Sequence, residues 1–126
     1  WVTIRINLMS WNIEDKYAIK VVKQKINPLF ERQKVAFWGI GNVLDILISK
    51  GNLKISDINL LIDTKYGDTL HPIYKIRIHQ PEILRIYEPN IVIVLSQPEE
   101  KIAKRANNFG VRHVLRISEL VEQVMI

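Results

Sequence analysis

The stretch from residue 34 to residue 51, KVAFWGIGNVLDILISKG, constrains this chain more than any other. Val35, Ala36, Phe37 and Trp38 form an unbroken apolar run. A strand with one wet face alternates apolar and polar residues, so an unbroken run predicts a short strand buried on both faces. Gly39-Ile40-Gly41 then reads as a tight glycine turn. From Asn42 onward, Val43, Leu44, Ile46, Leu47 and Ile48 recur with helical spacing, and Gly51 stands where a helix would end. A strand, a Gly-x-Gly turn and a helix make the first half of a nucleotide-binding βαβ unit.

The rest of the chain repeats that alternation. Val2, Ile4, Ile6 and Leu8 alternate with polar residues and predict a half-buried strand over 2–8, flanked by Trp1 and Trp11. Two large indoles there either cap the domain's own core or lie under another element or a missing domain. Asn12 is the expected cap of a helix over 13–26, in which Ala18, Val22 and Ile26 recur every four residues and Asn27-Pro28 marks the end. A buried strand is expected over 58–62, a loop over 64–72, and a weaker, alternating strand over 73–78. Pro81 opens a short helix that Pro89 closes, and IVIVL at 91–95 is the clearest buried strand. Ser96 and Glu99 have the spacing of a capping box for a helix lined by Ile102, Ala103, Ala106 and Phe109 and stopped at Gly110. A last strand over 111–117 and a terminal helix from Ser118, its expected cap, to Val124 complete the chain.

This order predicts an α/β fold: a small doubly wound, mostly parallel, Rossmann-like sheet of about five core strands. An N-terminal strand and connector helix (1–33) would precede the Rossmann-like domain (34–126).

Composition excludes several classes of chemistry. The 126 residues contain no cysteine, which rules out disulfides, zinc–thiolate sites and thiol catalysis and fits a reducing cytoplasm. Eighteen Lys and Arg against thirteen Asp and Glu give a net charge of +5, but the cations are scattered. Lys16, Lys20, Lys23 and Lys25 wander around a helix and read as a solvated face, so no nucleic-acid partner is expected, and no membrane partner is expected either. No apolar run approaches the ~20 residues that span a bilayer. The chain opens on Trp1 without a visible signal peptide, which predicts a fragment or a processed chain.

Candidate site residues cluster at the expected carboxyl ends of the strands. Gly39 and Gly41 fit the first two glycines of the dinucleotide pattern, the first for the turn and the second for close approach of a phosphate. The third position is Leu44, a bulky residue that should push the helix from the strand and argues against NAD. Backbone N–H groups near Asn42 would attract an anion at the helix start. Asp63 follows Gly41 by 22 residues, where the ribose-binding acid of such domains stands, although an Asp at a strand end often only shapes a turn. Lys65 meets a phosphate or is simply solvated. Ser96 lies at the same edge, as a helix cap or a ligand contact. His71, His79 and His113 have no metal-ligand spacing, and no metal is expected. Neither a Gly-x-Ser-x-Gly elbow nor a phosphate-binding P-loop motif occurs, so no catalytic residue is assigned.

Four strings carry a family resemblance: FWGIGN at the first turn, LLIDTKYG at the second, HQPEIL opening a helix, and IVIVLSQPEEKIAKRANNFGV. With these, roughly two thirds of the chain resembles the Rossmann-like C-terminal domain of bacterial sugar C-methyltransferases, of the S-adenosylmethionine-dependent methyltransferase family. It is also similar to the related nucleotide-binding front domain of polysaccharide-biosynthesis dehydratases and acyltransferases. The resemblance implies a non-catalytic domain that helps hold a nucleotide or nucleotide-sugar, or supports assembly, while a missing N-terminal catalytic domain binds S-adenosylmethionine and performs the transfer. Residues 12–27 would connect the two. Two other functions stand beside this one: an interaction or dimerisation module with an empty turn, pairing with a partner chain or a second copy, and the NAD(P)-binding domain of an oxidoreductase.

Overall fold

The computed structural model describes residues 13–125. The expected strand over 2–8, Trp1, Trp11 and the expected cap Asn12 lie outside the described residues. In chain order the elements are helix α1 (15–30), strand β1 (Val35–Trp38), helix α2 (Asn42–Ser49), strands β2 (Leu60–Ile62), β3 (Thr69–Leu70) and β4 (Arg77–His79), helix α3 (Leu84–Tyr87), strand β5 (Ile91–Val94), helix α4 (Glu99–Asn108), strand β6 (His113–Arg116) and helix α5 (Ile117–Val124). Short 3₁₀ turns precede β2 (Ile55–Asp57) and α3 (Pro81–Ile83).

The six strands form one sheet in the order β3-β4-β2-β1-β5-β6. Every pairing is parallel except β3 with β4. The chain is therefore α/β with a mostly parallel sheet, consistent with a Rossmann-like fold, and has six strands rather than about five.

Pleating explains why β1 is apolar throughout. Val35 and Phe37 point to one face and Ala36 and Trp38 to the other, and the two pairs enter different core clusters. β5 divides the same way, with Ile91 and Ile93 on the first face and Val92 and Val94 on the second. The first face is covered by α1, α2 and α5 through Val22, Ile26, Leu44, Leu47, Leu120 and Val124. The second is covered by α3 and α4 through Leu84 and Ala106, with Ile102, Ala103 and Phe109 packed beside them. A strand wetted on neither side has no place for polar residues.

Three expectations are corrected. Helix α1 does not stop at Asn27-Pro28 but runs to Phe30. Its middle, Val21–Ile26, is a π-helix, and the Asn27 N–H bonds back five residues to the Val22 carbonyl. Pro28 then falls in the first turn of a new α-helical segment, where its missing N–H removes no bond. The second correction concerns 64–72, expected as loop throughout: Thr69 and Leu70 pair antiparallel with Ile78 and Arg77. Two exposed residues carry no periodicity of their own, so only their partner strand identifies them.

The third is the expected strand over 73–78, of which only Arg77 and Ile78 lie in β4, which runs on to His79. The remainder is a turn organised by His71, a buried residue whose Nδ1 accepts hydrogen bonds from the N–H groups of Ile73 (3.1 Å) and Tyr74 (3.2 Å). The His71 ring stacks on Tyr74 with centroids 4.5 Å apart.

Tyr74 also ties this turn to α2, its hydroxyl donating to Asp45 Oδ1 at 2.6 Å. Burial, the hydrogen bond to Asp45 and that carboxylate's charge push the Tyr74 phenol up from 10.0 to about 12. A raised value in the folded state means that the stabilisation is complete below pH 10, where the unfolded phenol is also protonated, and is lost as pH rises towards about 12. Titration of tyrosinate absorbance should therefore show one tyrosine ionising near pH 12 in the native chain, and Tyr74→Phe should remove that step.

Candidate functional site

The parallel register aligns the carboxyl ends of the strands. Trp38 lies beside Ile62 on one side and Val94 on the other, Ile62 beside His79, and Val94 beside Arg116. The residues that follow, Gly39, Asp63, Gln80, Leu95 and Ile117, therefore emerge along one edge, with Ser96 one position further on. Connections leave β1 towards β2 on one side and reach β5 on the other, so strand order reverses between β1 and β5. Open α/β sheets bind ligands in the crevice at such a point.

Gly39 sits at that point of reversal. Its N–H donates to the Ile62 carbonyl at 2.9 Å, and the Leu95 N–H donates to the Trp38 carbonyl at 2.8 Å, so the three strands stay joined past their ends. Its φ of +134° belongs to glycine, and a Cβ there would press on the Ser96 side chain and lie 2.8 Å from the Ser96 nitrogen. Half-buried Ser96 thus fills the space over Gly39.

Gly41 is different. It is exposed, caps α2 with no side-chain hydrogen bond, and has no atom within 4 Å of where a Cβ would stand. The first N–H groups of a helix have no carbonyl partner within it, and of the residues that carry them here Asn42 is exposed while Val43 and Leu44 are buried. Leu44, in place of a third glycine, is fully buried in the core between α2 and the sheet.

Asp63 forms the turn after β2. Its N–H donates to the His79 carbonyl at 3.1 Å and its Oδ2 accepts from the Tyr66 N–H at 2.8 Å. The other carboxylate oxygen takes no hydrogen bond from the described residues. Lys65 is exposed, its ammonium 5.2 Å from the centroid of the Tyr66 ring. The edge thus brings Gly39, Asp63 and Ser96 side by side, with Gly41 and Asn42 at the start of α2.

The expected capping box does not form. Pro98, not Ser96, is the N-cap of α4, and the Gln97 Oε1 accepts a long 3.4 Å bond from the Glu99 N–H. Glu99, only 5% exposed, turns instead to the start of α5, accepting from the Ser118 N–H at 3.0 Å and from the Ser118 hydroxyl at 2.5 Å. Two donors at a helix start outbid the single Ser96 N–H of a capping box. Ser118 is likewise not a cap; Arg116 holds that position. Arg116 Nε donates to Glu119 Oε1 at 3.0 Å, which holds the Glu119 carboxyl below its ordinary range.

Replacing Glu99 by Gln should cost about 1–2 kcal/mol, because an amide cannot accept from both Ser118 donors with the strength of a carboxylate. Urea denaturation measures this, and faster amide exchange in α5 should accompany it. The same change at Glu100, whose side chain is 89% exposed, should stay within about 0.5 kcal/mol.

Reading along the chain missed Glu99 as a buried cap and the Tyr74–Asp45 tie; both join residues far apart in sequence, at spacings that match no local motif. Among the described residues, no group of His, Asp and Glu could hold a metal ion, and no helix is long and apolar enough to cross a membrane. The edge offers backbone N–H donors for an anion and a carboxylate for hydroxyl groups. Comparison of the chain with protein-family models, with curated proteins and with solved structures finds no match.

Proposed function

We propose that this chain is a non-catalytic, Rossmann-like domain that holds a nucleotide or nucleotide-sugar for a larger sugar-modifying enzyme of methyltransferase type. The observation that carries the binding part is the start of α2, where Gly41 and Asn42 are exposed, no side chain caps the helix and nothing lies within 4 Å of a Cβ built on Gly41, at the point of strand reversal. A phosphate would meet those N–H groups, and a ribose hydroxyl would donate to the oxygen of Asp63 not engaged by Tyr66. The methyltransferase-type parent, its catalytic domain with S-adenosylmethionine, and a cytoplasmic setting rest on the sequence resemblance and on the cysteine-free composition.

An amide-shift NMR titration with NAD, NADP, S-adenosylmethionine and a UDP- or dTDP-sugar tests the reading. Saturable shifts confined to 39–43 and 63–65 with the nucleotide-sugar are expected. If none of the four moves those amides at millimolar concentration, the binding reading fails. A second reading would then take its place, an interaction or dimerisation module, which Ser96 packed over Gly39 and buried Leu44 favour. Its readout is self-association in sedimentation.

A further inference from the structure

The opposite, amino edge of the sheet carries a second concentration of chemistry. Where the chain enters β5 and β6 it leaves a cleft of about 460 Å³, lined in part by Leu84, Phe109 and Val111 and by the charged Arg85, Glu88 and Arg112. A smaller depression of about 170 Å³ shares Arg85 and Phe109 and adds Arg105. Arg85 and Arg105 stand in the last turns of α3 and α4. Helix C-termini bring partial negative charge to this edge, which those two guanidiniums offset. Arg112 belongs to neither helix. Among the described residues no carboxylate pairs with Arg85, Arg105 or Arg112, and Glu88 is the one acid in the lining. The Arg85 guanidinium carbon lies 5.2 Å from the centroid of the Phe109 ring, a contact that holds its fork before anything binds.

We propose that this amino-edge cleft binds a small organic phosphate, its oxygens held by Arg85 and Arg112 and its uncharged part against Leu84, Phe109 and Val111. A phosphate offers three oxygens in a tetrahedral array and up to two negative charges, so it can accept from two guanidinium forks that arrive on different chain segments. The volume falls in the range of about 300–1,000 Å³ typical of small-molecule sites and exceeds what a bare anion needs. The site lies across the sheet from Gly41 and stands independently of the carboxyl-edge reading.

The test is a titration of the isotope-labelled 126-residue chain with pyrophosphate, then with AMP, at constant ionic strength. Pyrophosphate should give saturable amide shifts at Asn90, Gly110 and Arg112, and AMP should extend them to Leu84 and Val111. Arg112→Gln should raise both dissociation constants about tenfold or more. Arg112 is exposed and has no partner among the described residues, so an unchanged spectrum elsewhere should confirm that this variant is folded. Lys101→Gln, at an exposed lysine of α4 outside the lining, should leave binding unchanged. No saturable shift at these amides, an equal loss in Lys101→Gln, or AMP shifts confined to 41–43 would each overturn the proposal. Shifts at the amino edge with none at 41–43 would support it while counting against the carboxyl-edge site.

Discussion

Alanine at position 39 should cost the fold about 3–5 kcal/mol, the sum of a backbone conformation foreign to residues with a side chain and of a steric overlap. The φ of +134° is tolerated by glycine alone, and the new methyl would meet the Ser96 nitrogen at 2.8 Å and the Ser96 Cβ at 2.9 Å. The Ser96 nitrogen is backbone two residues past the end of β5, held in place by the adjoining Leu95 bond to Trp38. Relief would therefore have to come from opening the β1–β5 pairing at the centre of the sheet. Domains of this size are stable by only about 5–15 kcal/mol, so urea denaturation should show the loss as a large fall in midpoint. Ser96→Gly in the same chain should recover part of it, because it removes the side-chain overlap and leaves the backbone conflict. Gly41→Ala is the informative contrast: with φ at −84° and open space around it, the change should stay within about 1 kcal/mol. If both substitutions were equally harmful, the distinction between a glycine the fold needs and one it leaves open would be wrong.

The second large effect is expected at Gly51, where α2 ends against α1. A Cβ would lie 2.7 Å from the Leu47 carbonyl oxygen, 2.9 Å from the Ala18 carbonyl oxygen and 2.8 Å from the Val22 Cγ2. The Val22 methyl group can yield; the two carbonyls belong to helices and cannot. Gly51→Ala should cost about 2–3 kcal/mol through overpacking. The strain falls on α1 beside its π-helical turns, so α1 amides should exchange faster than those of β1 and β5. Protection lost evenly across the sheet would show instead that α1 and the sheet open as one unit.

These two glycines also mark how far the sequence can be read. Val35–Trp38, Asn42–Ser49 and Ile91–Val94 were legible because each is a local pattern with one strong cause. Both faces of the strands are covered, so apolar runs are unbroken, and α2 lies on a sheet, so its apolar stripe is broad. From these alone the α/β class and the parallel sheet follow. The Gly-x-Gly turn was equally visible, but its meaning was not. Gly39 and Gly41 look alike in sequence, and only the approach of Ser96, 57 positions away, separates a glycine demanded by packing from one with open space around it.

What tertiary structure alone decided has a common physical origin: a polar group takes whichever partner the fold brings nearest. Glu99 left the capping box its spacing offered because the start of α5 presents two donors. His71 turned an apparent strand into a loop by accepting two amides. Thr69 and Leu70 became a strand only because Ile78 and Arg77 lie opposite. The cations around Phe109 come from α3, α4 and the entry to β6, three segments that meet only when the sheet is assembled. Periodicity reports which faces of an element avoid water, and that determined the fold class. Hydrogen-bond partners and charge clusters depend on register between distant segments, and that only the folded chain decides.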